Sequence, residues 1–91
     1  MTKDDINKKI EEMGFDENFL LADGFEEAFM GIVGGSTGSS QSYKTCYDAD
    51  KCIEILEREM SNEEAVEYFE FNTLGAYVGE YTPMFIWKHE N

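Results

Sequence analysis

Few residues in this chain are of types that do covalent or metal chemistry, and their spacing argues against most of it. His89 is the lone histidine, and Cys46 and Cys52 are the two cysteines. A Cys–His or Ser–His nucleophile needs an imidazole in reach and a third group to orient it. An imidazole three residues from the end suits a solvated side chain better. Tetrahedral zinc wants four ligands, which these three residues do not supply. Asp48, Asp50 and Glu59 match positions 1, 3 and 12 of a calcium loop, but Cys52 and Ile53 occupy positions 5 and 6, and the sixth demands glycine. The run Gly34-Gly35-Ser36-Thr37-Gly38-Ser39-Ser40 has the composition of a phosphate loop without its Gly-Lys-Ser/Thr ending, and a strand, not a helix, is expected after it. No catalytic residue, metal or cofactor is expected, and the chain reads as non-enzymatic.

What remains is an unusual density of carboxylates. Glu63, Glu64, Glu67 and Glu70 fall on one side of a helical projection, and no Lys or Arg interrupts the run from Ser61 to Leu74. Like charges four residues apart cost a helix a few tenths of a kcal/mol per pair, so the stripe does not serve the helix itself. Phe71 projects to the border of this acidic side and Tyr68 to its flank. Two accounts stand side by side. In one, the segment 74–81 folds back over these rings; in the other, Tyr68 and Phe71 are anchors among carboxylates for the basic surface of another protein, the aromatics supplying burial and the charges steering encounter. The loop Gly75 to Pro83 is a second candidate surface, with Tyr77, Glu80 and Tyr81 as its contact residues. Its alternative is a structural crossover that needs the glycines for positive φ.

The elements that must position these groups emerge from composition and periodicity. Ninety-one residues suit a single domain, 1–91, and 20 acidic against 7 basic residues give a net charge of −13. Such a surface repels phosphate backbones, so direct nucleic-acid binding is not expected. The 42% hydrophobic and 14% aromatic content supplies the core material that acidic disordered tails lack. Nowhere do about 18 apolar residues run together, so no membrane span is expected. Two cysteines are too few for a disulfide framework, and the start Thr2-Lys3-Asp4-Asp5 is polar, which points to a reducing cytoplasm. Self-association is left open.

Thr2 with Asp5 has the order of an N-cap, and Ile6, Ile10 and Met13 come after it at helical spacing, predicting a helix over 3–13. Residues 25–33 fit helix or strand; Gly31 and the Gly34-Gly35 stop tip the balance to strand. A hairpin over 25–47 is then predicted, with a flexible loop at 34–42. Asp48 or Asp50 caps a helix over 49–60 whose apolar arc is Cys52, Ile53, Leu56 and Met60. Ser61 and Glu64 have capping-box spacing, and a second helix over 62–72 presents Ala65, Val66, Phe69 and Asn72 inward. Together 49–72 form a helical hairpin or corner, and 84–87 a closing strand able to pair with the earlier hairpin. The fold class is α+β.

The segments 47–56, 61–72, 75–80 and Thr82-Pro83, with Asp23-Gly24-Phe25 and Gly31-Ile32 before them, resemble short uncharacterised proteins of tailed bacteriophages. The resemblance implies a phage or prophage origin, expression in the cytoplasm of a bacterial host, and a role in takeover or counter-defence. The expected function is a phage-type module that binds a host protein through its acidic face, with DNA mimicry as one version. The rival expectations are a small-molecule or nucleotide-sequestering protein using the Tyr77 to Tyr81 loop, and a virion structural or assembly role.

Overall fold

A computed structural model describes residues 2–15, 19–37, 40–74 and 82–88, the side chains of 35–37, 40–42 and Leu74 excepted. Helix α1 spans Lys3–Glu12, strand β1 Phe29–Thr37, strand β2 Ser40–Asp48, helix α2 Ala49–Leu56, helix α3 Asn62–Tyr68 and strand β3 Met84–Ile86. A 3-10 turn, Glu26–Ala28, precedes β1, and α3 runs on into a π-helical segment, Phe69–Leu74. The class is α+β, as expected.

Helix α1 starts at a reciprocal cap. The Thr2 hydroxyl accepts the Asp5 N–H at 3.2 Å while the Asp5 carboxylate accepts the Thr2 N–H at 2.9 Å, and these bonds hold the Asp5 carboxyl below its ordinary value. Ile6 and Ile10 are buried, and Lys3 pairs with Asp23 at the turn before β1.

The sheet has the order β1-β2-β3, with β1 antiparallel and β3 parallel to β2. A parallel neighbour requires a crossover, and α2 with α3 provides it. Tyr47 faces this crossover from the central strand. Its ring meets Phe29 and Phe85 on either side, at centroid distances of 5.7 and 5.8 Å. Phe69 completes the aromatic cluster edge-on to Phe85 at 5.1 Å and to Trp87 at 5.6 Å, with Phe25 at 6.4 Å. Ala28, Ala49, Cys52, Ile53 and Ala65 fill the rest of this core. Small residues on both helices let them approach the large rings.

Several boundaries differ from expectation for physical reasons. The strands do not stop at Gly34: pairing continues through Gly35 with Ser42, Ser36 with Gln41 and Thr37 with Ser40, so the loop predicted at 34–42 is largely ladder. Ser, Thr and Gly read as loop by composition, but a partner strand already in register satisfies their backbone groups. At the other end, 26–28 form a 3-10 turn, and a bulge between Phe29 and Gly31 precedes regular pairing; Gly31 adopts φ +152°, which disfavours a side chain. Helix α2 stops at Leu56, short of residue 60, because 57–60 tighten into turns through Arg58 N–H to Ile55 and Glu59 N–H to Leu56. That tightening lets Ser61 reach the extended conformation, ψ 163°, that an N-cap requires.

Candidate functional site

Ser61 sets the direction of the acidic helix. Its hydroxyl accepts the Glu64 N–H at 3.2 Å and donates to Glu64 Oε1 at 3.1 Å, so the carboxylate returns to the cap hydroxyl and not to the cap N–H. Glu63 and Glu64 lie in the first turn, where the helix dipole favours negative charge. Glu67 and Glu70 lie further along and gain nothing from it. All four are exposed.

The π-helical segment sets which side chains beyond Tyr68 turn inward. Phe69 is fully buried, so the helix is locked to the core at that point. A wider i→i+5 turn delays the return of the inward face by about one residue relative to an α-helix. Thr73 is accordingly half-buried and Asn72 exposed, which corrects the inward position expected for Asn72 from regular 3.6-residue periodicity. Phe71 stands out into solvent at 74% exposure, and Tyr68 at 45%.

Glu64, Glu67, Tyr68 and Phe71 line one shallow groove of about 490 Å³, together with Met60 and Asn72. Glu63 and Glu70 are not among its lining residues. Met60 and Asn72 were missed as site residues because each occupies an apolar or inward position in an unbroken helical projection. Tyr68 and Asn72 also line a deeper cleft of about 570 Å³ that includes Leu20, Phe25, Leu56 and Phe85. Arg58, the one basic residue in the described lining of that cleft, is engaged by Glu27 at 2.6 Å. The second candidate surface, with Tyr77, Glu80 and Tyr81, lies outside the described residues, as does His89.

The thiols are poor nucleophiles. Burial, with a contribution from Asp48, pushes Cys52 up to about 12, and the same causes raise Cys46. Burial likewise opposes ionisation of Asp48, but Lys88 at 2.9 Å and the Lys51 N–H at 3.2 Å outweigh it and hold that carboxyl below its ordinary value. Asp48 is thus the cap of α2, tied to the end of β3. Among the described residues no group of three or more His, Cys, Asp or Glu could hold a metal ion, and no helix is long and apolar enough to cross a membrane. Comparison of the chain with protein-family models, with curated proteins and with solved structures finds no match in any of the three.

Proposed function

We propose that the chain is a non-enzymatic protein-binding module that engages a basic surface of another protein through Glu63, Glu64, Glu67 and Glu70, with Phe71 and Tyr68 as anchors. Phe71 is the observation that carries this. A Phe left in water forgoes about 1.5–3 kcal/mol of burial, and here it is presented beside Tyr68 and Met60 in a groove flanked by two carboxylates. A partner that covers the ring recovers that burial, while the surrounding charge selects Lys- and Arg-bearing surfaces and speeds encounter. The phage-type resemblance supports a host protein as the partner and takeover or counter-defence as the role. In the DNA-mimic version the carboxylates stand in for phosphates, and binding weakens steeply as salt rises.

Affinity capture from bacterial lysate, with the parent chain, Phe71→Ala, and the triple variant Glu63→Gln, Glu67→Gln, Glu70→Gln, tests the proposal. The expected result is a discrete partner retained by the parent and depleted with both variants. Equal capture by all three removes the acidic face as the site.

A small-molecule reading draws on the 570 Å³ cleft, which falls within the 300–1,000 Å³ common for ligand pockets. Its apolar walls and its already paired Arg58 favour an uncharged apolar ligand over a nucleotide. Thermal-shift screening decides it: stabilisation by no member of an apolar panel eliminates this alternative.

A further inference from the structure

From Ala28 to Tyr43 the chain carries no Asp, Glu, Lys or Arg, although 30% of all its residues are charged. That uncharged run is β1 and the start of β2. Strand β1 lies at the edge of the sheet, and among the described residues no strand pairs with its outer side. An antiparallel edge strand turns about half of its N–H and C=O groups away from its single partner. Natural edges are commonly blunted by brevity, Lys, Pro or bulges. Strand β1 is nine residues long and has neither Lys nor Pro. Among the described residues the device it does carry is the bulge between Phe29 and Gly31, beyond which Ile32 to Thr37 pair with β2 without interruption.

We propose that this edge pairs with β1 of a second copy, antiparallel about a two-fold axis near the middle of Ile32–Thr37, so that the two three-stranded sheets become one. Charge identifies the occupant. Two chains of −13 repel each other wherever their carboxylates meet, and the hairpin edge is a surface they can bring together without facing acids. The antiparallel sense completes the selection. It places Glu26 and Glu27, which precede β1 in each copy, beyond the uncharged Thr37 end of the other, whereas parallel pairing would set the four acids side by side. A single edge used by both copies is self-complementary under a two-fold and closes at the dimer. On the face opposite the aromatic core Val33 pairs across the hairpin with Lys44, and Cys46, Asp48, Met84 and Ile86 share that face, with Met84 and Ile86 exposed.

Sedimentation equilibrium of the full chain, from micromolar to near-millimolar concentration and at low and high salt, tests this together with hydrogen exchange of the β1 amides. The expected result is a monomer–dimer equilibrium that tightens with salt, because screening relieves the mutual repulsion. Alternate amides of Ile32–Thr37, those turned away from β2, gain protection as the dimer fills. Val33→Glu sets two like charges near the axis and weakens the dimer on the order of a hundredfold, while the new carboxylate faces Lys44 across its own hairpin, so circular dichroism and the melting curve of the monomer stay near the parent's. A chain that is monomeric throughout overturns the proposal. So does a dimer that leaves the β1 amides unprotected, or one in which those amides are protected only after a different protein is added. The exchange measurement uses the unaltered chain, so the outcome stands even if the variant misfolds.

Discussion

Phe69 and Phe71 lie two positions apart in one helical segment and stand at opposite extremes of exposure, 0% against 74%. The first is held by three aromatic rings; the second touches the groove that Glu64 and Glu67 flank. Their truncations separate stability from binding. Phe69→Ala leaves a cavity at the centre of the ring cluster and costs about 3–5 kcal/mol of unfolding free energy. Phe71→Ala changes it by no more than about 0.5 kcal/mol. Urea denaturation of both variants reads the difference, and a loss of several kcal/mol from Phe71→Ala would make that ring part of the core.

The Tyr47 hydroxyl accepts the Ala22 N–H at 2.9 Å, tying the connector before β1 to the central strand. Thr45 makes a second tie by donating to the Leu20 carbonyl at 2.8 Å. Tyr47→Phe keeps the ring packing and strands that N–H, so a loss of about 1–3 kcal/mol is expected. Hydrogen exchange checks its location: the Ala22 amide should be among those most accelerated.

Gly34 and Tyr43 are cross-strand partners, and the tyrosine ring lies where a side chain on Gly34 would project. Gly34→Ala forces the ring aside and costs about 1–3 kcal/mol. Because the clash belongs to the pair, Gly34→Ala combined with Tyr43→Ser should cost less than the two single changes summed. Strict additivity in thermal unfolding would show that the ring moves away freely.

Alkaline pH destabilises the fold through its buried thiol. The Cys52 thiol is raised from 9.0 to about 12, so the folded chain holds a proton that the unfolded chain releases between those values. This contribution is fully present below pH 9 and is lost as pH rises toward 12, at about 1.4 kcal/mol per pH unit. Cys46 and Tyr47, also raised by burial, act in the same direction. The denaturant midpoint should fall across this window, and Cys52→Ala should fall less steeply; parallel curves would mean that the thiol does not titrate there.

Much of this architecture is legible locally. Thr2 with Asp5 and Ser61 with Glu64 announce their helices because an N-cap is a contact between residues three apart, and Cys52 and Ile53 on one arc announce the core face of α2. What depends on distant partners is not. Gly34 to Thr37 look like a loop until β2 is placed beside them. The parallel sense of β3 rests on its pairing with β2, Cys46 with Met84 and Asp48 with Ile86, between residues far apart in the chain. The composition of the π-helical segment does not reveal it; Phe69 anchored in the ring cluster marks its start. For the candidate site, the carboxylates and both aromatics could be named from spacing, whereas Met60 and Asn72 join the groove only once the helix corner and the wide turn are built.

The most direct test of the acidic, aromatic face is photo-crosslinking. A benzophenone side chain is placed at Phe71 and, as a control, at the exposed Glu12 on α1, and the labelled chains are irradiated in bacterial lysate. A discrete adduct is expected from position 71, absent from position 12, reduced when Glu64 and Glu67 are replaced by Gln, and joined to a Lys- and Arg-rich surface of the partner. If position 71 gives no adduct beyond those of position 12, the groove is not a protein-binding site.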